Sequence, residues 1–146
     1  NDSLIHFFAQ AQLASPRDYV VYVASSSGEE TEVVKRDTSV DGHAGEQETS
    51  EILVIRPDLV RKETMPADNE GLPLERLKPL RDQGVYTGIW WYADHPSHYC
   101  GDGSFGTVEK GNRWLDARAA ALAQTIRAIK NDTETKRLQD EFFERI

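Results

Sequence analysis

The chain has 146 residues, a formal net charge of −8 and a sequence pI of about 5.0. This acidic balance, with Lys and Arg scattered rather than interleaved with aromatics, argues against nucleic acid as a partner. No apolar run approaches the roughly 18 residues of a membrane span. The N-terminus also lacks the basic stretch and apolar core of a signal peptide. The single cysteine, Cys100, excludes an intrachain disulfide and a cysteine-rich zinc module, which suits a reducing cytoplasm.

In chain order, Asn1 or Asp2 can cap a helix whose residues Leu4, Ile5, Phe7, Phe8, Ala11 and Leu13 form a wide apolar stripe predicted to be buried. Ser15-Pro16 ends it. Asp18 to Ala24 is short, β-branched, aromatic and nearly continuous in apolarity, as expected of a strand covered on both faces. Ser25 to Asp41 is polar and reads as a loop.

The loop enters Gly42-His43-Ala44-Gly45-Glu46-Gln47-Glu48-Thr49-Ser50, which reads as a helix entrance. Two glycines there permit close approach of the backbone to a ligand, His43 supplies an imidazole for proton transfer, and Glu46 or Glu48 can bind a hard or borderline cation. The same residues also suit an ordinary helix N-terminus, where acidic side chains favour the macrodipole. Spacing does not choose between the two.

From Arg61 to Gln83, Pro66, Pro73 and Pro79 oppose long regular elements. Leu72, Leu74, Leu77 and Leu80 are expected to pin this segment to a core. The segment Val85 to Cys100 concentrates aromatics, suits a substrate pocket or an intersubunit contact, and includes a second candidate strand near Val85. If extended, Trp90 and Trp91 point to opposite faces. His95 and His98 have the look of a metal pair, but Pro96 opposes helical geometry between them. Thr107 can cap a long helix with Trp114, Leu115, Ala119, Leu122, Ile126 and Ile129 facing inward. After Asn131-Asp132-Thr133, a short amphipathic helix carries Leu138, Phe142, Phe143 and Ile146, suited to a core edge or a neighbouring subunit.

The run GHAGEQETS, followed by the apolar Ile52-Leu53-Val54-Ile55 and by Pro57-Asp58-Leu59-Val60, resembles the creatinine amidohydrolase (creatininase) family. A second, ordered match is Gly101 to Gly111, which resembles that family's glycine-rich turn into its last long helix. The resemblance implies a three-layer helix-sheet-helix α/β fold with a mainly parallel central sheet. It further implies a metal-dependent hydrolase of a non-peptide C–N bond, in an amide, cyclic amide or formamide, with water activated at two divalent ions, zinc or manganese. Carried over by position, Glu48 matches the family's metal-ligand glutamate and His43 its proton-transferring histidine, while Glu46 falls at a variable position suited to capping or to supporting a ligand rather than to binding metal itself. The family's ligands do not map to His95 or His98.

Asn1 to Ile5 fits the end of the family's Asn-Gly-His-Gly-Gly-Asn motif and the helix after it. Residues 1–146 are therefore expected to be the C-terminal portion of one such domain, with most metal ligands upstream. Where creatininase itself has a tryptophan just before this histidine, the chain has Ser39-Val40, so creatinine is not assigned as the substrate. The expected partners are a small amide and other copies of the chain in a homo-oligomer. Two alternatives stay open: a non-catalytic half that needs a second polypeptide, and a family peptidase that trims a short peptide.

Overall fold

The computed structural model describes residues 2–24, 33–66 and 70–145. Six α-helices occur among them: α1 (Asp2–Gln12), α2 (Glu46–Ile55), α3 (Lys78–Arg81), α4 (Trp90–Asp94), α5 (Val108–Asn131) and α6 (Glu134–Glu144). Short 3₁₀ turns lie at Pro57–Leu59, Lys62–Thr64 and Gly103–Phe105. No helix among the described residues is long and apolar enough to cross a membrane.

The described residues contain no β-strand, which overturns the expected three-layer fold with a parallel sheet. A strand exists only through a ladder of backbone hydrogen bonds to a neighbour, and Asp18 to Ala24 has none. The carbonyls of Arg17 and Tyr19 instead accept from the Gln139 side-chain amide, at 3.1 and 3.2 Å. The second candidate strand is equally absent. Near Val85 the chain closes α3 with paired bonds from Gly84 N–H to the Arg81 carbonyl (2.9 Å) and from Val85 N–H to the Leu80 carbonyl (3.0 Å). Gly84 takes φ +70°, the left-handed conformation that such a helix end requires.

The chain divides into two compact units. One comprises residues 1–28 and 119–146, the other residues 29–118. In the first unit, α6 is capped by Asp132, whose carboxylate accepts from Glu134 N–H at 2.9 Å and from Thr135 N–H at 3.2 Å. Asp132 also accepts from the Tyr22 hydroxyl at 2.6 Å. The Thr135 side chain first, and Tyr22 next, lower its carboxyl to about 2. Gln139 is buried and bridges α6 to α1 through Gln12 at 3.1 Å. The apolar stripe predicted to be buried along α1 is not: Ile5, Phe7, Phe8 and Leu13 are all exposed. In the second part of α5, Leu122 and Ile126 are exposed as well.

The second unit is built around α2, whose interior side is polar. Glu46, Gln47, Thr49, Ser50 and Glu51 are buried, whereas Ile52 and Ile55 are exposed. Such an arrangement holds only if each buried polar group has a partner. Glu51 accepts from Gln47 at 3.1 Å and from Arg118 at 2.8 Å. The Ser50 hydroxyl donates to the Glu46 carbonyl at 2.6 Å and accepts from Thr107 N–H at 3.1 Å, tying α2 to the start of α5. Thr107 caps α5 as expected, accepting from Lys110 N–H at 3.2 Å. Gly111 lets the helices meet, since a Cβ there would lie 2.2 Å from the Ser50 carbonyl oxygen. Trp114, fully buried one turn later, is the largest apolar side chain in this interior.

The prolines of 61–83 do limit that segment to turns and the short α3, but Leu72, Leu74 and Leu80 are exposed rather than pinned to a core. Trp90 and Trp91 lie in α4, not in an extended segment, and their rings meet edge to face at 5.5 Å. The Arg76 guanidinium donates to the Tyr92 and Ala93 carbonyls and closes the C-terminal end of α4. Asn1, residues 25–32 of the predicted loop, residues 67–69 and Ile146 lie outside the described residues.

Candidate active site

The loop from Val40 turns into α2 through a tight bend in which Gly45 N–H donates to the Gly42 carbonyl at 3.0 Å. Ala44 sits inside that bend at φ +58°. A non-glycine residue pays steric strain in that conformation, and it persists only where the surroundings fix it. Here both peptide groups of Ala44 are held. Its N–H donates to Glu48 Oε2 at 2.9 Å, and its carbonyl accepts from the Thr49 hydroxyl at 3.1 Å. The His43 carbonyl accepts from Cys100 N–H at 2.9 Å, which fixes the residue before the bend as well.

With the backbone so held, His43 Nδ1 lies 3.6 Å from Glu48 Oε2, and both side chains are more than half exposed. The fold thus brings together the two residues that the motif singled out by position. Glu48 stands three residues past the helix cap, Gly45, and its back-bond to Ala44 N–H resembles a capping box displaced by one residue. The capping and chemical readings of Glu48 are therefore compatible. One oxygen holds the bend, and among the described residues no donor reaches Oε1.

Glu46 is a different case. Fully buried, it accepts from Thr38 N–H (3.0 Å), the Thr38 hydroxyl (2.9 Å), Asp37 N–H (2.9 Å) and Lys110 Nζ. Burial alone would raise its carboxyl, but the Lys110 ammonium and the Thr38 and Asp37 donors outweigh that and hold it below the usual range. It anchors the loop before the motif to α2 and α5 rather than capping the helix, whose cap, Gly45, has no side-chain hydrogen bond.

Glu48 lines an open cleft of about 540 Å³, walled by Ile52, Leu59, Val60 and Met65 and flanked by Arg61 and Tyr99. The Tyr99 hydroxyl accepts from Gly103 N–H at 2.7 Å. Burial is the main influence on this phenol and pushes it up, keeping the hydroxyl proton in place as a donor. Sequence reading assigned neither Arg61 nor Tyr99 to the site, because nothing in their spacing from His43 indicates that these chain segments meet. His95 and His98 lie on a turn after α4, where His98 N–H donates to the His95 carbonyl at 3.0 Å. The His95 ring packs on Trp91 at 4.8 Å and is buried.

Residues 3–126 match the creatininase family, described as creatinine amidohydrolase. The chain belongs to the creatininase family. No curated protein and no solved structure matches it significantly. Creatininase-family membership places it among metal-dependent amidohydrolases that act on small amides. The described residues do not fit a metal centre on their own. Among them no group of three or more His, Cys, Asp or Glu side chains converges on one point. His43 and Glu48 bring two donor side chains together, fewer than the three protein ligands typical of a catalytic zinc site.

Proposed function

We propose that the chain takes part in hydrolysis of a non-peptide C–N bond in an amide, cyclic amide or formamide, with His43 as the proton-transferring group and Glu48 as its contribution to a metal site. The observation that carries this reading is the His43–Glu48 pair, 3.6 Å apart where the motif bend meets the cleft, within a family of amidohydrolases. Water adds to the acyl carbon, the C–N bond breaks, and the amine leaves with a proton. A histidine beside the cleft is suited to move that proton. A two-ion centre of zinc or manganese needs donors beyond those described. We place them in sequence preceding residue 1, with residues 1–146 forming the C-terminal part of the catalytic domain. A homo-oligomer in a reducing cytoplasm suits the exposed apolar side chains and the unpaired, buried Cys100.

The absence of a converging donor set among the described residues favours, as a second reading, a non-catalytic half that depends on another polypeptide. One experiment on the full-length protein separates the two: metal content and turnover of a panel of amides, formamides and short peptides, for wild type, His43→Ala and Glu48→Gln. On the enzyme reading, His43→Ala keeps its metal and loses on the order of 10²–10⁴-fold in kcat. Glu48→Gln loses metal, because a neutral amide is a poorer ligand than a carboxylate. Metal loss in His43→Ala would make that residue a ligand instead. Wild-type protein without metal or turnover on any substrate would leave the non-catalytic reading.

A further inference from the structure

Arginines in this acidic chain are normally engaged. Within the second unit Arg36 faces Asp41 at 3.9 Å, Arg56 pairs with Asp58 at 2.7 Å, Arg81 with Asp94 at 2.7 Å and Arg118 with Glu51 at 2.8 Å. Arg76 and Arg113 donate to backbone carbonyls. Arg61 is the exception within this unit, as Arg127 is in the other: its guanidinium has no acceptor among the described residues. Its backbone is nonetheless fixed, since its carbonyl accepts from Thr64 N–H and from the Thr64 hydroxyl, both at 3.0 Å. Arg61 also lines the same cleft as Glu48 and is the one cation among the described lining residues, as Glu48 is the one anion among them. The remaining wall is aliphatic, apart from threonines and Tyr99.

We propose that Arg61 is a specificity-determining residue that binds a carboxylate carried by the amide substrate, whose apolar body lies along Ile52, Leu59, Val60 and Met65 and whose scissile amide faces Glu48 and His43. The proposal rests on the amidohydrolase reading for the amide end, and on the cleft alone for the carboxylate end. A guanidinium presents a planar fork of N–H donors that matches a carboxylate two-to-two, which a lysine does not reproduce. A cleft of about 540 Å³ suits a small molecule of this kind. The opposite charges of Glu48 and Arg61 give the cleft a polarity that orients an anionic substrate with its acid away from the glutamate.

The test uses the full-length protein and two probes of nearly equal shape, N-benzoylglycine and its neutral counterpart N-benzoylglycinamide. Binding is measured by calorimetry and hydrolysis is followed in parallel, for wild type, Arg61→Leu and Arg61→Lys. Wild type should prefer the carboxylate, and Arg61→Leu should erase that preference by weakening N-benzoylglycine on the order of 10- to 100-fold. The neutral probe should be little changed. Arg61→Lys should keep part of the preference, which also guards against a folding defect in the leucine variant. Equal or absent binding of the two probes by wild type, or a preference that survives in Arg61→Leu, overturns the proposal. A preference abolished in Arg61→Leu, with no amide hydrolysed, would leave the carboxylate subsite standing and remove the amidohydrolase reading. Hydrolysis of neutral amides without any carboxylate preference would do the reverse.

Discussion

Glu46 keeps its charge in a fully buried position because the Lys110 ammonium, the Thr38 hydroxyl and two backbone N–H groups surround its carboxylate. Lys110 would keep Asp37 as a partner at 2.6 Å, but a neutral amide weakens every charge-assisted bond of the set and turns N–H groups toward donors, so Glu46→Gln should destabilise the fold by about 1–3 kcal/mol at neutral pH. The sign of the pH dependence follows from the lowered carboxyl. Around its ordinary value of 4.5 the unfolded chain binds more protons than the folded one. The stabilisation is therefore fully present above that value and is lost as pH falls through the lower folded value. Denaturant unfolding of wild type and Glu46→Gln at pH 7 and at pH 3.5 or below (about one unit under the ordinary value) should show the gap narrowing in acid. A gap that is constant with pH would mean the carboxylate charge contributes nothing.

α2 and α5 show how one missing Cβ fixes a helix crossing. Alanine is normally favoured over glycine within a helix, by about 1 kcal/mol. At position 111, however, a methyl would press on the Ser50 carbonyl at 2.2 Å, with backbone on both sides of the contact. Gly111→Ala should therefore destabilise, by about 1–3 kcal/mol, against the sign that helix propensity alone gives. It should also disturb the Ser50-to-Thr107 bond that orients the start of α5. A raised thermal midpoint in Gly111→Ala would show that the helices can part without loss. Because Glu48 and Ser50 share α2, the same variant is expected to loosen the His43–Glu48 pair.

For the whole molecule, the surface carries many large apolar side chains. Phe7 is 63% exposed, Tyr86 75% and Leu122 60%, and Ile5, Phe8, Leu13, Ile55, Leu59 and Ile89 are exposed as well. Extended apolar surface of this kind promotes association. Residues 1–146 expressed alone should therefore self-associate in a concentration-dependent way, measured by light scattering after size exclusion, and bind no metal tightly. A monodisperse, metal-loaded and active monomer would overturn the division of the site proposed above. His95 and His98 would then be the first ligands to test.

Several features followed from local chemistry that the sequence states directly. The GHAGEQETS motif predicted a loop-to-helix junction carrying His43 and Glu48, because glycines and acidic residues at a helix entrance act locally; that the two side chains stand beside each other was seen only in the structure. The Thr107 cap, the long α5 and the short α6 after Asn131-Asp132-Thr133 were legible for the same reason: caps and turns act over three or four residues. The sheet was not. The β-branched run at Val20 to Val23 records a propensity, and a strand forms only if another segment supplies a ladder, which no described segment does. The leucines of 72–80 and the apolar stripe of α1 likewise stated a capacity for burial without naming what would cover them. Arg61 and Tyr99 reach the Glu48 cleft through contacts between segments distant in the chain, and the inverted polarity of α2 depends on Lys110, Thr38 and Arg118 arriving from elsewhere. Periodicity and spacing specify what a segment can do by itself. Which groups meet across the chain is set by tertiary packing, and here that packing decided the wall of the cleft and the charges that line it.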